Sequence, residues 1–351
     1  MKLKTGFIGL CSDHLWPVWG KGAIKEAEET GNFEFVAAAD KNPELLERIK
    51  KEFGVKKTYS SYQDMLKKES LDVVIIGVPN SEKADVVEAA AEKGIHVLID
   101  KPLSANLEQA NRILQSAKKY NIKGMVYYHG VSDPQSWEIY NLVANGVIGK
   151  IFQIESRIAN AGPELHGCSK YFLEWLFDPK KNGGGALIDY ACYGAVYARW
   201  LIGQPEGVMA VGGRYVKDNI KAEDNAVLLL RYNKAVAVLQ ASWSQFASDT
   251  AWKAYIGPRV AVYGSEGSII WRSRKDETLT LISKEYPEGK EIKPRPLPKG
   301  QENAPAYFAT CVLNDKPIEG PLSLPLCRDV QEILEAGYRS IESKKEISLP
   351  I

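Results

Sequence analysis

The chain has 351 residues, 45% hydrophobic and 25% charged, with a formal net charge of +1. That is enough for about two globular domains with full cores. The balanced charge gives no general attraction to nucleic acid or an anionic membrane surface, so neither is expected as a partner. The five cysteines (Cys11, Cys168, Cys192, Cys311, Cys327) form no C-x-x-C pair, and no run reaches the ~18 apolar residues of a spanning helix. A cytoplasmic protein with reduced thiols is expected. The four histidines are far apart and lack ligand spacing, so no metal site is expected.

The chain opens on an apolar strand, Leu3 to Gly9. Trp16 to Thr30 reads as a helix closed near Gly31, with Pro17 tolerable in its first turn. A second strand, Phe33 to Ala39, ends at Asp40. Asn42-Pro43-Glu44 starts a helix: Asn42 can cap it, Pro43 suits its first position, and Glu44 meets the positive end of its dipole. Asp72 to Val78 is almost wholly apolar, as in a strand buried on both faces. Ser81 to Lys93 is helical with Gly94 as its C-cap, and His96 to Ile99 is a strand ending at Asp100. Asn106 to Tyr120 is a helix and Gly124 to Tyr128 the next strand. This alternation predicts an α/β fold with a doubly wound parallel sheet of the Rossmann kind over residues 1–127.

Ligands of such sheets lie beyond the carboxyl ends of the strands. That singles out Gly9, Cys11, Ser12, Asp13 and His14 after the first strand, Asp40 and Lys41 after the second, Pro79 and Asn80, and Asp100, Lys101 and Pro102. A dinucleotide turn has the form G-x-G-x-x-G; here only Gly9 of that pattern is present, with Cys11 and His14 at the other two positions. Asp40 carries the cofactor argument further. A carboxylate there accepts the ribose hydroxyls of NAD and repels a 2′-phosphate, while Lys41 softens that repulsion and leaves NADP as the alternative. Asp40 as a solvated cap of the Asn42 helix is the plainer reading.

In residues 128–351, Gly183-Gly184-Gly185 lets a backbone pack closely and precedes an apolar helical stretch, Ala186 to Ile202. Asp189 and Tyr193 stand four apart and so share one helix face. The alternative for that pair is a structural hydrogen bond. Lys150 to Ala159, Gly207 to Lys217, Ala222 to Tyr232 and Ala235 to Trp243 read as strands in an antiparallel pattern, with Asn233-Lys234 as a hairpin turn. Trp243, Phe246 and Trp252 are candidates for an oligomer face.

The segments Val78-Pro79-Asn80 and Ile95-His-Val-Leu-Ile-Asp100-Lys101-Pro102-Leu103, the block Gly183 to Gly194, and the tail Glu335 to Pro350 together resemble the Gfo/Idh/MocA family, in family order and spacing. The resemblance implies an N-terminal Rossmann domain and a C-terminal α+β domain on a large, open, mostly antiparallel sheet. It also implies pairing through that sheet as a homodimer or homotetramer, and hydride transfer between a nicotinamide and a carbinol carbon of a sugar, polyol or similar substrate. The departures are Lys83 where the family has His, Asp100 for its Glu, His129-Gly130-Val131-Ser132 for an Asn-Arg-Arg-Phe-like stretch, Tyr193 for the later His, and Val196 for an Asp.

On this reading Lys101, Asp189 and Tyr193 are the catalytic residues. Tyr193 exchanges the substrate proton, with Lys101 favouring the phenolate by Coulomb attraction. Asp189 holds a substrate hydroxyl and orients Lys101. His129, Trp175 and His166 complete the expected substrate contacts, and the loops Asn160 to Lys170 and Phe246 to Arg259 carry specificity. Two alternatives stay open: a glycoside-cleaving enzyme that oxidises its substrate transiently without net NADH, and a non-catalytic NAD-binding regulator.

Overall fold

The computed structural model describes residues 2–245, 259–273 and 277–351. Phe246 and Trp252, and most of the loop Phe246 to Arg259, lie outside them. Strand β1 (Leu3–Ile8) is followed by helix α1 (Ala23–Thr30), β2 (Phe33–Ala39), α2 (Pro43–Phe53), β3 (Lys57–Tyr59), α3 (Tyr62–Lys68), β4 (Val73–Ile76), α4 (Lys83–Ala91), β5 (His96–Asp100), α5 (Leu107–Lys119) and β6 (Gly124–Tyr127). All six strands pair in parallel, in the order β3-β2-β1-β4-β5-β6. This is the Rossmann order, reversing between β1 and β4, where such sheets bind dinucleotides. The caps follow the sequence: Asn42 accepts from the Glu44 amide, Asn106 from the Gln109 amide, and Gly94 stands at φ 72°.

One expectation fails. The helix read from Trp16 begins only at Ala23, after a single 3₁₀ turn over Pro17–Trp19. Gly20 at φ 86° breaks the run, and a Cβ on Gly22 would stand 2.2 Å from the Trp16 carbonyl. Trp16 turns into the core, where its indole donates to the Leu10 carbonyl at 2.8 Å and the Arg48 guanidinium lies 4.0 Å from its ring centre.

Helix α6 (Pro134–Ala144) leads to β7 (Ile151–Ala159), α7 (Lys170–Leu176), α8 (Pro179–Asn182) and α9 (Cys192–Leu201). There follow β8 (Gly207–Gly213), β9 (Asn225–Arg231), β10 (Val236–Ser242), β11 (Val260–Gly264), β12 (Gly267–Trp271), β13 (Leu279–Ser283) and β14 (Lys290–Ile292), then α10 (Ala304–Leu313), α11 (Leu324–Ser343) and β15 (Ile347–Ser348). These strands form one sheet in the order β14-β13-β12-β11-β7-β10-β9-β8-β15, antiparallel except where β7 meets β10. The expected strand from Gly207 to Lys217 stops at Gly213, because the Asp224 carboxylate gathers the amides of Tyr215, Val216 and Lys217 into a turn. Helices α9 and α11 cover one face of the sheet. On the other face Met209, Val211, Val227 and Leu229 stay open, Val211 at 66% exposure. Trp243 belongs to neither face: it is wholly buried, and no oligomer contact is open to it.

Among the described residues no helix is long and apolar enough to cross a membrane. The C-terminal helices return to the first domain, α10 packing on α1 and α11 on α5. The three glycines seal the junction. A Cβ on Gly183, at φ +93°, would stand 2.1 Å from the Ala105 carbonyl, just past the end of β5. Gly183→Ala is therefore expected to cost about 2–4 kcal/mol through backbone clash and positive-φ strain. Urea unfolding checks it, and a wild-type midpoint would show that the two segments can separate freely.

Candidate active site

Two cavities flank the carboxyl edge of the first sheet. The larger, about 890 Å³, lies beyond β1, β2 and β4 and is lined by Gly9, Cys11, Asp40, Lys41, Pro79 and Trp175, among others. The second, about 670 Å³, lies between the two domains and is lined by His14, Lys101, His129, His166, Asp189, Tyr193 and Arg259, among others. The Gly9–His14 loop and α7 run between them. Cys11 and Trp175 line the first, and His14 and Phe172, with ring centres 5.1 Å apart, line the second. Trp175, expected among the substrate contacts, thus stands on the other side of α7.

The first cavity fits a dinucleotide in part. Gly9 at φ +76° is indispensable: a Cβ there would stand 2.6 Å from the Val78 amide nitrogen, so β1 and β4 approach as closely as a nucleotide fold requires. Asp40 accepts from the Leu10 amide at 2.6 Å and the Asn42 amide at 2.7 Å, which fixes its carboxylate on the cavity wall. Its two oxygens keep lone pairs for ribose hydroxyls. Burial raises its pKa above the usual carboxylate value, against the two amide bonds that lower it. The phosphate end differs from the compact fingerprint. Because α1 starts at Ala23, no helix begins within the Gly9–His14 loop to offer its dipole.

Several residues expected at the cofactor instead hold the loop. Ser12 donates to Asp100 at 2.5 Å, and His14 lies 3.1 Å from the same carboxylate. Burial alone would raise the Asp100 pKa; the His14 ring, Lys83 and Ser12 outweigh it and hold it low. Asp13 accepts from the Ser169 amide and hydroxyl at 2.6 and 2.7 Å, pinning the loop to the start of α7. Asn80 is buried and donates to Asn182. Ser12, Asp13, Asn80, Asp100 and Pro102 line neither cavity.

Lys101 follows β5 and is 2% exposed. Its ammonium donates to the Asp189 carbonyl at 2.9 Å and forms a buried ion pair with the Asp189 carboxylate. Leu187–Ala191 form a π-helical turn rather than the expected straight helix, so this wider turn carries the carboxylate toward Lys101. The other Asp189 oxygen accepts from the Trp243 indole at 3.0 Å. Each carboxylate oxygen thus has a partner within the protein that fixes it beside Lys101, and keeps a lone pair toward the cavity that Asp189 lines. Burial disfavours the Lys101 ammonium, but Asp189 outweighs it and keeps its pKa above the ordinary lysine value.

The Tyr193 ring lies 5.2 Å from the Lys101 ammonium, and its hydroxyl 3.2 Å from His129 Nδ1. Burial raises the Tyr193 pKa, and the attraction of Lys101 only partly offsets this. Lys101 thus favours the phenolate as expected, but burial outweighs it and the neutral phenol prevails. His166 lies farther along the wall, its backbone carbonyl accepting from the Trp19 indole at 3.1 Å. Trp19, stacked on His129 with ring centres 6.5 Å apart, and Arg259 are two wall residues the sequence reading did not single out. Neither has a motif, and both arrive through loop geometry. Among the described residues no group of three or more His, Cys, Asp or Glu is placed to hold a metal ion.

Residues 4–128 match the family description "Oxidoreductase family, NAD-binding Rossmann fold", and residues 137–270 match "GFO/IDH/MocA C-terminal domain". The chain is 27% identical to levoglucosan dehydrogenase of Pseudarthrobacter phenanthrenivorans over 68% of its own length and 65% of that protein's, just under two thirds. It is 26% identical to myo-inositol 2-dehydrogenase of Thermotoga maritima over 89% of its own length and 90% of that protein's. In fold it is similar to aldose-aldose oxidoreductase from Caulobacter crescentus complexed with glycerol, with a TM-score of 0.82 at 21% identity, covering 99% of this chain and 100% of that one.

The loop that carries Lys101 rests on Lys83. This fully buried lysine donates to the carbonyls of Asp100 and Pro102, on either side of Lys101, at 2.5 and 2.7 Å. Burial pushes its pKa down to about 7 from the usual 10.5. Between about pH 7 and pH 10 the unfolded chain then binds more protons at this residue than the folded one, so its contribution to stability rises with pH there. Lys83→Met removes that rise. Urea unfolding of both proteins at about pH 6.5, 8 and 9.5 should show the wild-type advantage growing, by up to about 1.4 kcal/mol per pH unit; a gap independent of pH would contradict it.

Proposed function

The chain belongs to the Gfo/Idh/MocA family of NAD-binding oxidoreductases, and we propose that it transfers hydride between NAD and a carbinol carbon of a sugar, polyol or related cyclic alcohol. One observation carries the reading: a charged lysine, a buried phenol and an imidazole meet on one wall of the cavity between the domains. When bound, NAD supplies the hydride acceptor for oxidation. Gly9, Asp40, Lys41 and Pro79 would hold it, and the Asp40 carboxylate favours NAD over NADP.

The protein's own groups then handle the proton. The Lys101 ammonium has three donors, of which two go to Asp189, leaving one for the substrate oxygen. Tyr193 Oη takes the alcohol proton as it passes its own to His129 Nδ1, 3.2 Å away. No phenolate need persist on this route, which suits the raised Tyr193 pKa. In the reverse direction the same hydroxyl donates. The buried aromatic rings of Phe172 and Tyr193 line the wall where this exchange takes place.

Lys101→Ala and Tyr193→Phe should each lower turnover by at least about 100-fold, the scale of acid–base catalysis. Absorbance at the NADH band, with NAD and NADP run in parallel over monosaccharides, inositols and dihydrodiols, checks this. Unimpaired turnover in either variant sinks the mechanism, and substrate cleavage without net NADH would favour the glycoside-cleaving alternative.

The same reading includes a homodimer or homotetramer through the open face of the second sheet. The aliphatic row of Met209, Val211, Val227 and Leu229 supports it, since water-facing apolar rows of this kind mark contact surfaces. Light scattering at micromolar concentration should give a mass of two chains or more, and Val227→Glu with Leu229→Glu should lower it. A single-chain mass for the wild type refutes the assembly.

A further inference from the structure

His14 stands where a dinucleotide turn carries its last glycine, and the structure gives it a different setting. It is 8% exposed and boxed in by Trp19 and Phe172, whose ring centres lie 5.7 and 5.1 Å from its own. Its Nδ1 lies 3.1 Å from the Asp100 carboxylate, which is buried and lines neither cavity. Burial opposes the Asp100 charge, but His14, Lys83 and Ser12 outweigh burial and hold it. A charged carboxylate accepting from Nδ1–H fixes the tautomer, so Nε2 carries the ring's lone pair.

The His14 ring lines the cavity between the domains, as do His129 and Tyr193. Its centre lies 5.0 Å from that of His129. Tyr193 Oη, 3.2 Å from His129 Nδ1, completes a row of Tyr193, His129, His14 and Asp100. The row begins at the proposed reacting oxygen and ends on a buried negative charge. The other imidazole near His14 is His166, in the loop before α7, and Lys83 of α4 bears on Asp100 from behind. Asp13, next in the chain, is taken by Ser169. Among the described residues the wall's cations are Lys21, Lys101 and Arg259, and its carboxylates are Asp133 and Asp189; Cys168 and Tyr190 are its remaining titratable groups.

We propose that His14, backed by Asp100, is a second proton acceptor of this site, taking the substrate proton onward from His129 to solvent. This rests on the dehydrogenase reading above and extends it beyond Tyr193. In oxidation the alcohol proton moves to Tyr193 Oη and the phenol proton to His129 Nδ1. His129 then gives up one N–H proton, which forms a new N–H bond at His14 Nε2, directly or through one cavity water. His14 is now an imidazolium paired with Asp100, the role a carboxylate plays behind a catalytic histidine. Loss of that proton to solvent resets His14, and exchange with cavity water restores the tautomer of His129. Neither ring is oxidised or reduced.

The test follows the whole enzyme with NAD and the alcohol it uses best in the screen above. The wild-type kcat for oxidation should fall on acidification with a dependence on about two protons, one for each imidazole of the row. His14→Gln should reduce that dependence to about one proton and lower kcat at neutral pH by on the order of 100-fold. Asp100→Asn should lower kcat less. Calorimetric titration of NAD and the unfolding midpoint report whether each variant is folded and binds cofactor. An unchanged pH dependence in His14→Gln, an unchanged kcat in Asp100→Asn, or a loss confined to NAD affinity would each overturn the proposal. Imidazole NMR needs neither turnover nor a change to the row. The chain has four histidines, so His96→Gln with His166→Gln leaves the signals of His14 and His129 alone. Those two should titrate as a coupled pair, each curve showing both steps; independent single-step curves refute the relay. Coupled curves without turnover of any alcohol keep the pair and defeat the dehydrogenase reading. Turnover that needs Tyr193, with independent curves, does the reverse.

Discussion

The ion pair between Lys101 and Asp189 joins the two halves of the molecule at the point where its chemistry is proposed to occur. One partner ends a strand of the parallel sheet; the other sits in a π turn of the second domain. A buried pair of this kind adds little net stability, because desolvation consumes the Coulomb attraction. Its value lies in specificity: either charge alone in this place is strongly unfavourable, so the two segments tolerate few relative positions. The supporting bonds serve the same end. Lys83 fixes the carbonyls around Lys101, and Trp243 fixes the far oxygen of Asp189.

The electrostatics follow from that pairing. The Lys101 attraction is the strongest influence lowering the Tyr193 pKa, Asp189 opposes it more weakly, and burial prevails. A site built this way suits concerted proton passage through a neutral phenol better than a standing phenolate. His129 Nδ1 lies 3.2 Å from that phenol and is the partner the proposed route uses. It occupies the stretch where the sequence departs from the family's Asn-Arg-Arg-Phe-like pattern.

Much of this was legible in the sequence, for identifiable reasons. The parallel sheet was readable because apolar runs such as Asp72 to Val78 and caps such as Asn42 are local signals. Lys101 and Asp189, which the structure pairs at the cavity wall, were marked in the sequence by a motif and a helical spacing. What stayed hidden depended on long-range contacts. Nothing local reveals that Asp100 turns to Ser12 and His14, or that Trp243 reaches Asp189 rather than an oligomer face. The start of α1 was misread because Trp16 to Thr30 is apolar enough for a helix, while Gly20 and Gly22 set the backbone otherwise. Arg259 carries no local pattern; its place over the Tyr193 and Trp271 rings comes from long-range packing.

Helix α11 ties the two walls of the cleft together. It packs on α5 in the first domain and on α9, β8 and β15 in the second. Arg328 reaches Asn111 of α5 at 2.8 Å, while Asp329 pairs with Arg199 of α9. One rigid rod bolted to both bodies acts as a strut, and it opposes the hinge bending by which many two-domain enzymes open their clefts. The two walls of the cleft, and with them Lys101 and Asp189, are thereby held at one separation.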